Sequence, residues 1–225
     1  MSTATKPLVL WGATGQAKVV AEFAPALGYN IAALFDNDPN VTSPLADVPL
    51  HHGRAGFERW RASAQSPAYF VVAVGGSRNA DRLELMAMLQ SAGLTAATLI
   101  HPTAFVAASA QIGEGSQILA HASVCADAVL GKGCIVNTGA SVDHDCQLGD
   151  GVHVAPGGIL CGCVRVGTCA FIGAGAVLIP RISVARDVVV AAGAVVIKDV
   201  LAGQTVGGVP AKTMDAAAPK AGSGQ

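Results

Sequence analysis

The sequence predicts an α/β domain followed by an all-β parallel β-helix, and three observations carry that prediction. An aliphatic residue recurs at every sixth position from Val106 to Val196 without a break. Residues 8–38 run as apolar strand, glycine turn, amphipathic helix and second apolar strand. Hydrophobic residues make up 52% of the 225 positions against 13% charged, which guarantees a large core and excludes disorder for most of the chain.

The first half reads in order as follows. "LVLWGATGQAKVVAEFAPALGYNIAALFDND" is a βαβ unit whose second strand ends in acids, the opening of a Rossmann-like domain. "YFVVAVG", Tyr69 to Gly75, reads as a further buried strand, a helical pattern covers Asn79 to Ala92, and a short strand leads toward His101 and Pro102. The expected division is therefore 1–101 for this domain, 102–214 for the β-helix and 215–225 for a mobile tail. The turn Gly12-Ala13-Thr14-Gly15-Gln16-Ala17 is GxxGxA rather than GxGxxG, so a dinucleotide-dependent reductase is disfavoured. Its backbone N–H groups at a helix N-terminus still suit an anionic phosphate, with Asp36 placed to accept hydrogen bonds from a ribose or base.

A period of six fits neither a helix nor an amphipathic strand. It fits a coil of three short strands, each sending one large aliphatic residue inward, so one coil is eighteen residues and the sixteen aliphatic positions make a little over five coils. Glycine-rich corners ("GEG", "GKG", "GDG", "GAG") suit the tight turns between strands. Residues eighteen apart are then neighbours on adjacent coils. His144 stacks beside Gly162, while Pro156, Ala174 and Ala192 form one line. His144 is the candidate general base, since imidazole titrates near physiological pH. His153 precedes the inward Val154 and should face outward into solvent. His121, His144 and His153 share no column, which argues against a zinc site built from the three. The six cysteines show no CxxC, and Cys134 and Cys146 occupy positions otherwise held by small residues, so buried free thiols are expected.

The motifs "GATGQAKVV", "FDND", "VAVG", "SVDHDCQLGDGVHVAPGG" and "GGVPAK" together resemble the hexapeptide-repeat acyltransferases that act on nucleotide-linked sugars, the sialic-acid O-acetyltransferase and bacillosamine N-acetyltransferase family. The resemblance implies a left-handed β-helix, a homotrimer and an acetyl-CoA co-substrate lying in a groove between neighbouring subunits, with no metal. It implies that Thr14, Gly15, Gln16, Asp36, Asn37 and Gly75 hold the nucleotide sugar. It implies further that Asp145 orients His144, that the Gly162 amide stabilises an oxyanion, and that His153, Ala174 and Ala192 contact acetyl-CoA. Relatives often carry histidine at Gln16 and two acids at Asp36-Asn37, which leaves both UDP and GDP open.

The expected activity is N-acetylation of a nucleotide-linked amino-dideoxy sugar, of the GDP-perosamine or UDP-4-amino-sugar type, for surface-glycan synthesis. An O-acetyltransferase of the same fold and a non-catalytic trimeric sugar-binding scaffold are the alternatives. Further expectations concern partners and place. A net charge of −1 without basic clusters gives no footprint for nucleic acid or anionic membrane, and no uninterrupted run of eighteen apolar residues occurs, so a soluble cytoplasmic protein is expected.

Overall fold

The computed structural model describes residues 5–63 and 68–214; the tail 215–225 expected to be mobile lies outside the described residues. The N-terminal domain contains β1 (Lys6–Trp11), α1 (Gly15–Phe23), β2 (Tyr29–Asp36), β3 (Leu50–His52), α2 (Gly53–Ser63), β4 (Tyr69–Val72), α3 (Asn79–Ser91) and β5 (Thr95–Ala96). Its five strands form one parallel sheet in the order β3-β2-β1-β4-β5. β1 and β4 are continuous apolar runs because helices or the β-helix cover both of their faces. Apolar clusters around Leu8, Leu10 and Val71 on one face and Val9, Trp11 and Phe70 on the other bear this out. β3 and α2, where apolar periodicity is weak, were not anticipated.

From Leu99 to Gly207 the chain is a left-handed parallel β-helix, closed by an antiparallel strand at Lys212–Met214. Two-residue strands stack in exact steps of eighteen, for example Ser123 on Ser141 on Ile159 and Ile135 on His153 on Phe171. The second residue of each strand points inward, and these aliphatics, with the small Ala and Cys residues between them, fill a single core. Leu99–Ile100 pairs with Gln117–Ile118, so the prism begins one hexad before Val106 and three residues before Pro102. Its sequence signal was hidden because Ile100 continues the repeat inside what reads as the last strand of the α/β domain.

Each corner column carries residues with left-handed backbone, and all three accept residues other than glycine: His121 in one, Asp127, Asp145, Cys163 and Arg181 in the second, Cys169 and Asp187 in the third. The column Gly115, Gly133, Gly151 has a second demand. A β-carbon on Gly133 would collide with the Met86 sulfur, and one on Gly151 would press on Leu83, because α3 lies directly across this edge. Glycine here serves both the turn and the domain contact.

That contact is polar at its centre. Arg82 of α3 is fully buried and donates to the carbonyls of Gly133 (2.7 Å), Gly151 (2.6 Å) and Val74 (2.8 Å) and to Asn79 Oδ1 (3.0 Å). Asn79 in turn donates to the carbonyls of Cys169 and Ala170. Burial brings the Arg82 guanidinium down to about 10, still charged at neutral pH. Beside it, the apolar face of the N-terminal sheet continues onto Leu99, Leu119 and Ile135 of the prism. Together these contacts fix the loop after β4 against one face of the β-helix. No described helix is long and apolar enough to cross a membrane.

Candidate active site

Two sites emerge, on different edges of the prism. The first is a cleft of about 730 Å³ where the C-terminal ends of β1, β2 and β4 open onto the β-helix. It lies at the point where strand order reverses, the usual ligand position in such sheets. Thr14, Gly15, Gln16, Asp36, Asn37 and Gly75 all line it. Gly12 starts the turn at φ 102°, and a β-carbon there would come within 2.6 Å of the Ala73 carbonyl oxygen, so only glycine lets the two strands diverge. Helix α1 begins with no side-chain cap and no acid in its first turn, which leaves its N-terminal field open to an anion.

Asp36 also has partners within the cleft's own loops. Its Oδ2 accepts from the Ala13 N–H (2.8 Å) and its Oδ1 from the Asp38 N–H (3.0 Å), so the carboxylate first of all holds the glycine turn. Gln16 is tied to the prism: its Nε2 donates to Gln117 Oε1 (2.8 Å), and Gln117 Nε2 donates to the Val72 carbonyl (3.0 Å). The cleft also includes Arg78, Trp11, Gly76 and Asn137, which sequence reasoning missed. Arg78 offered a signal, a lone cation in the loop after a buried strand. Asn137 offered another, a polar side chain in a column that continues with the compact Ala155, Gly173 and Ala191.

His153 does point away from the prism interior, yet it is 4% exposed rather than solvated, because the N-terminal domain closes over it. Its Nδ1 faces the Gly76 carbonyl at 3.1 Å, which can only accept, so Nδ1 carries the proton and Nε2 accepts from Asn137 Nδ2 at 3.2 Å. Phe171 packs edge-on against the ring. Burial first, then the Arg82 charge, pushes the imidazole down to about 4. His153 is therefore a neutral joint between the Gly75-Gly76 loop and the prism. The chain runs on from Phe171 into the corner bearing Ala174, which with Pro156 and Ala192 forms an exposed line of small residues beside the cleft.

The second site is the next corner round the prism. The Asp145 backbone is left-handed (φ 59°), and from there its Oδ2 meets His144 Nδ1 at 2.7 Å. Asp143 accepts the His144 backbone N–H instead (2.7 Å) and so shapes the turn rather than the ring. The hydrogen bond to Asp145 raises the His144 pKa above its ordinary value. The imidazole lies over Gly162, where any β-carbon would overlap the ring. Gly162 is thus buried under His144 and not openly exposed, and its N–H has no acceptor among the described residues. The two histidines are driven in opposite directions by their surroundings, His144 toward its protonated form and His153 into a fixed neutral group.

All six cysteines are free. Cys134 and Cys146 are buried, which pushes their thiols up to about 12 and about 11. Cys125, Cys161, Cys163 and Cys169 are only half-buried, because corner positions face outward.

Residues 7–89 match the family model described as the PglD N-terminal domain. Among solved structures, the acetyltransferase domain of PglB from Neisseria gonorrhoeae FA1090 is 37% identical, with a TM-score of 0.82 over 93% of this chain and 100% of that one. PerB from Caulobacter crescentus, solved in complex with CoA and GDP-perosamine, is 37% identical, with a TM-score of 0.85 over 96% of this chain and 100% of that one. WeeI from Acinetobacter baumannii AYE is 25% identical, with a TM-score of 0.83 over 93% of this chain and 100% of that one. No curated protein matches the chain.

Proposed function

The chain belongs to the hexapeptide-repeat acetyltransferases of the sialic-acid O-acetyltransferase and bacillosamine N-acetyltransferase type, and from that premise we propose that it acetylates the amine of a nucleotide-linked 4-amino-4,6-dideoxy sugar. Acetyl-CoA is the donor. The observation that carries the reading is the His144–Asp145 pair resting on Gly162.

Acetyl transfer needs a neutral amine and a stabilised tetrahedral oxyanion. His144 Nε2 takes the proton as the amine nitrogen attacks the thioester carbonyl, and Asp145 holds the ring and supports the imidazolium that forms. The Gly162 N–H is the candidate donor to the oxyanion. The tetrahedral intermediate then collapses, breaking the C–S bond, and the departing thiolate takes the proton from the His144 imidazolium to give CoA. The half-buried Cys161 and Cys163 are not required as nucleophiles, because an amine attacks a thioester directly.

In one chain the cleft and His144 stand on different prism edges, so the reading includes a homotrimer in which neighbouring subunits complete each site. The nucleotide diphosphate would lie on the α1 N-terminus near Arg78. The line Pro156, Ala174 and Ala192 leaves room for pantetheine, with His153 at its end. A cytoplasmic step in surface-polysaccharide synthesis fits a soluble nucleotide-sugar substrate and acetyl-CoA.

The test is CoA release measured across GDP-, UDP- and dTDP-linked 4-amino sugars and their 4-hydroxy counterparts, with the product mass determined. One amino sugar should react at least tenfold faster than every hydroxy sugar. Preference for a hydroxy sugar would convert the assignment to O-acetylation, and no CoA release with any of them would leave a binding scaffold.

A further inference from the structure

We propose that the His144 corner also binds one thiophilic divalent cation of the Zn²⁺ class through His144, Asp145 and Cys163, and that occupation of this site switches the base off. Among the described residues, these three side chains bring one ligand atom each to within 4.8 Å of one another. The group unites an imidazole, a carboxylate and a thiol, the donor types zinc prefers, and leaves a fourth position for water.

The frame beneath the three side chains is fixed. Cys163 stands one coil beyond Asp145, and both have left-handed backbones, at φ 62° and φ 59°. Their side chains therefore leave the prism at equivalent points of successive coils. The Cys163 N–H donates to the His144 carbonyl at 2.8 Å and locks the two corners together. In a tetrahedral site with bonds of about 2.0–2.3 Å, ligand atoms lie roughly 3.5 Å apart. Closing from 4.8 Å needs only side-chain rotation. Within one chain His144 and Asp145 are 54% and 58% exposed, so burial does not hold either side chain in its present rotamer. The ligands come from positions 144, 145 and 163, a spacing that matches no metal motif in the linear sequence.

The inhibitory consequence rests on the base role proposed above, whereas the binding does not. A neutral imidazole has one proton and one free lone pair. A cation on Nδ1 displaces the Asp145 hydrogen bond and leaves the proton on Nε2; a cation on Nε2 occupies the lone pair itself. Neither form accepts a proton from the sugar amine. The Cys163 thiol proton goes to solvent on binding.

Co²⁺ titration of the chelator-treated full chain tests the site without any turnover. One cobalt per chain should bind with thiolate-to-cobalt charge-transfer absorption. Cys163→Ser should lose that absorption and weaken binding at least tenfold, while Cys161→Ser should keep both. Absence of the band, or its survival in Cys163→Ser, would overturn the proposal. With Zn²⁺, CoA release by the unsubstituted chain should fall at least tenfold and recover with chelator. Cys163→Ser should turn over normally without metal and resist zinc. An occupied site with undiminished turnover would overturn the switch, and only that outcome reflects on His144 as base.

Discussion

The imidazole of His144 occupies the space into which a β-carbon on Gly162 would project, one coil further along the prism. The Gly162 backbone lies outside the left-handed region, so a methyl group there strains nothing but the ring. Gly162→Ala should swing His144 away from Asp145 and lower turnover by about 10²-fold or more. The melting temperature should move by no more than a few degrees. Normal turnover by a correctly folded Gly162→Ala protein, measured by CoA release, would separate the ring position from catalysis.

His144→Ala should slow the reaction by roughly 10²–10³-fold at neutral pH, with partial recovery at high pH as solvent deprotonates the amine. A ratio to the unsubstituted enzyme that stays constant across pH would remove His144 from the base role.

Asp145→Asn tests the orientation of the ring. The Asp145 hydrogen bond raises the His144 pKa, and the catalytic form is neutral, so the rate of the unsubstituted enzyme should fall as pH drops through that raised value. Without the carboxylate the acidic limb of the kcat/KM profile should move to lower pH, and the plateau should fall because the base is weaker. An unmoved limb would show that another group controls it.

His153 makes a stability prediction with the opposite sign of shift. Its folded value is about 4 against an ordinary 6.5, so between these pH values the unfolded chain binds the extra proton. Stability should therefore be intact above pH 6.5 and fall as pH drops toward 4, by up to about 3 kcal/mol. Denaturant unfolding of His153→Gln should lack that part of the acid slope.

Arg82 fixes the domain contact. Arg82→Ala leaves the Gly133, Gly151 and Val74 carbonyls without their buried donor, which should cost about 3 kcal/mol or more. Arg82→Lys keeps the charge but not the planar fork, and should recover only part of the loss. Thermal melting measures the loss. Limited proteolysis should then degrade the N-terminal domain ahead of the prism.

The hexad repeat was legible because one inward aliphatic per side is a local requirement repeated at a fixed interval. The coil length followed from it, and so did the meeting of His144 and Gly162, eighteen positions apart. The βαβ unit was legible for the same reason, each element being decided by its own periodicity. Asp145 as the partner of the ring needed the resemblance to relatives, since spacing alone did not distinguish it from Asp143.

The tertiary structure decided what depends on one domain lying against the other. His153 points outward from its own strand, as the pattern requires, and is buried only because α3 and the Gly75-Gly76 loop descend on that side of the prism. Burial then fixes its tautomer and its charge. No pattern in the sequence marks Arg82, and it becomes the centre of the interface because a column of glycines opens carbonyls to it. Gln16 meets Gln117 across 101 positions. A local pattern determines which way a side chain leaves its strand; what covers it there is set by the docking of distant segments, and with that cover come its solvation, its pKa and its role.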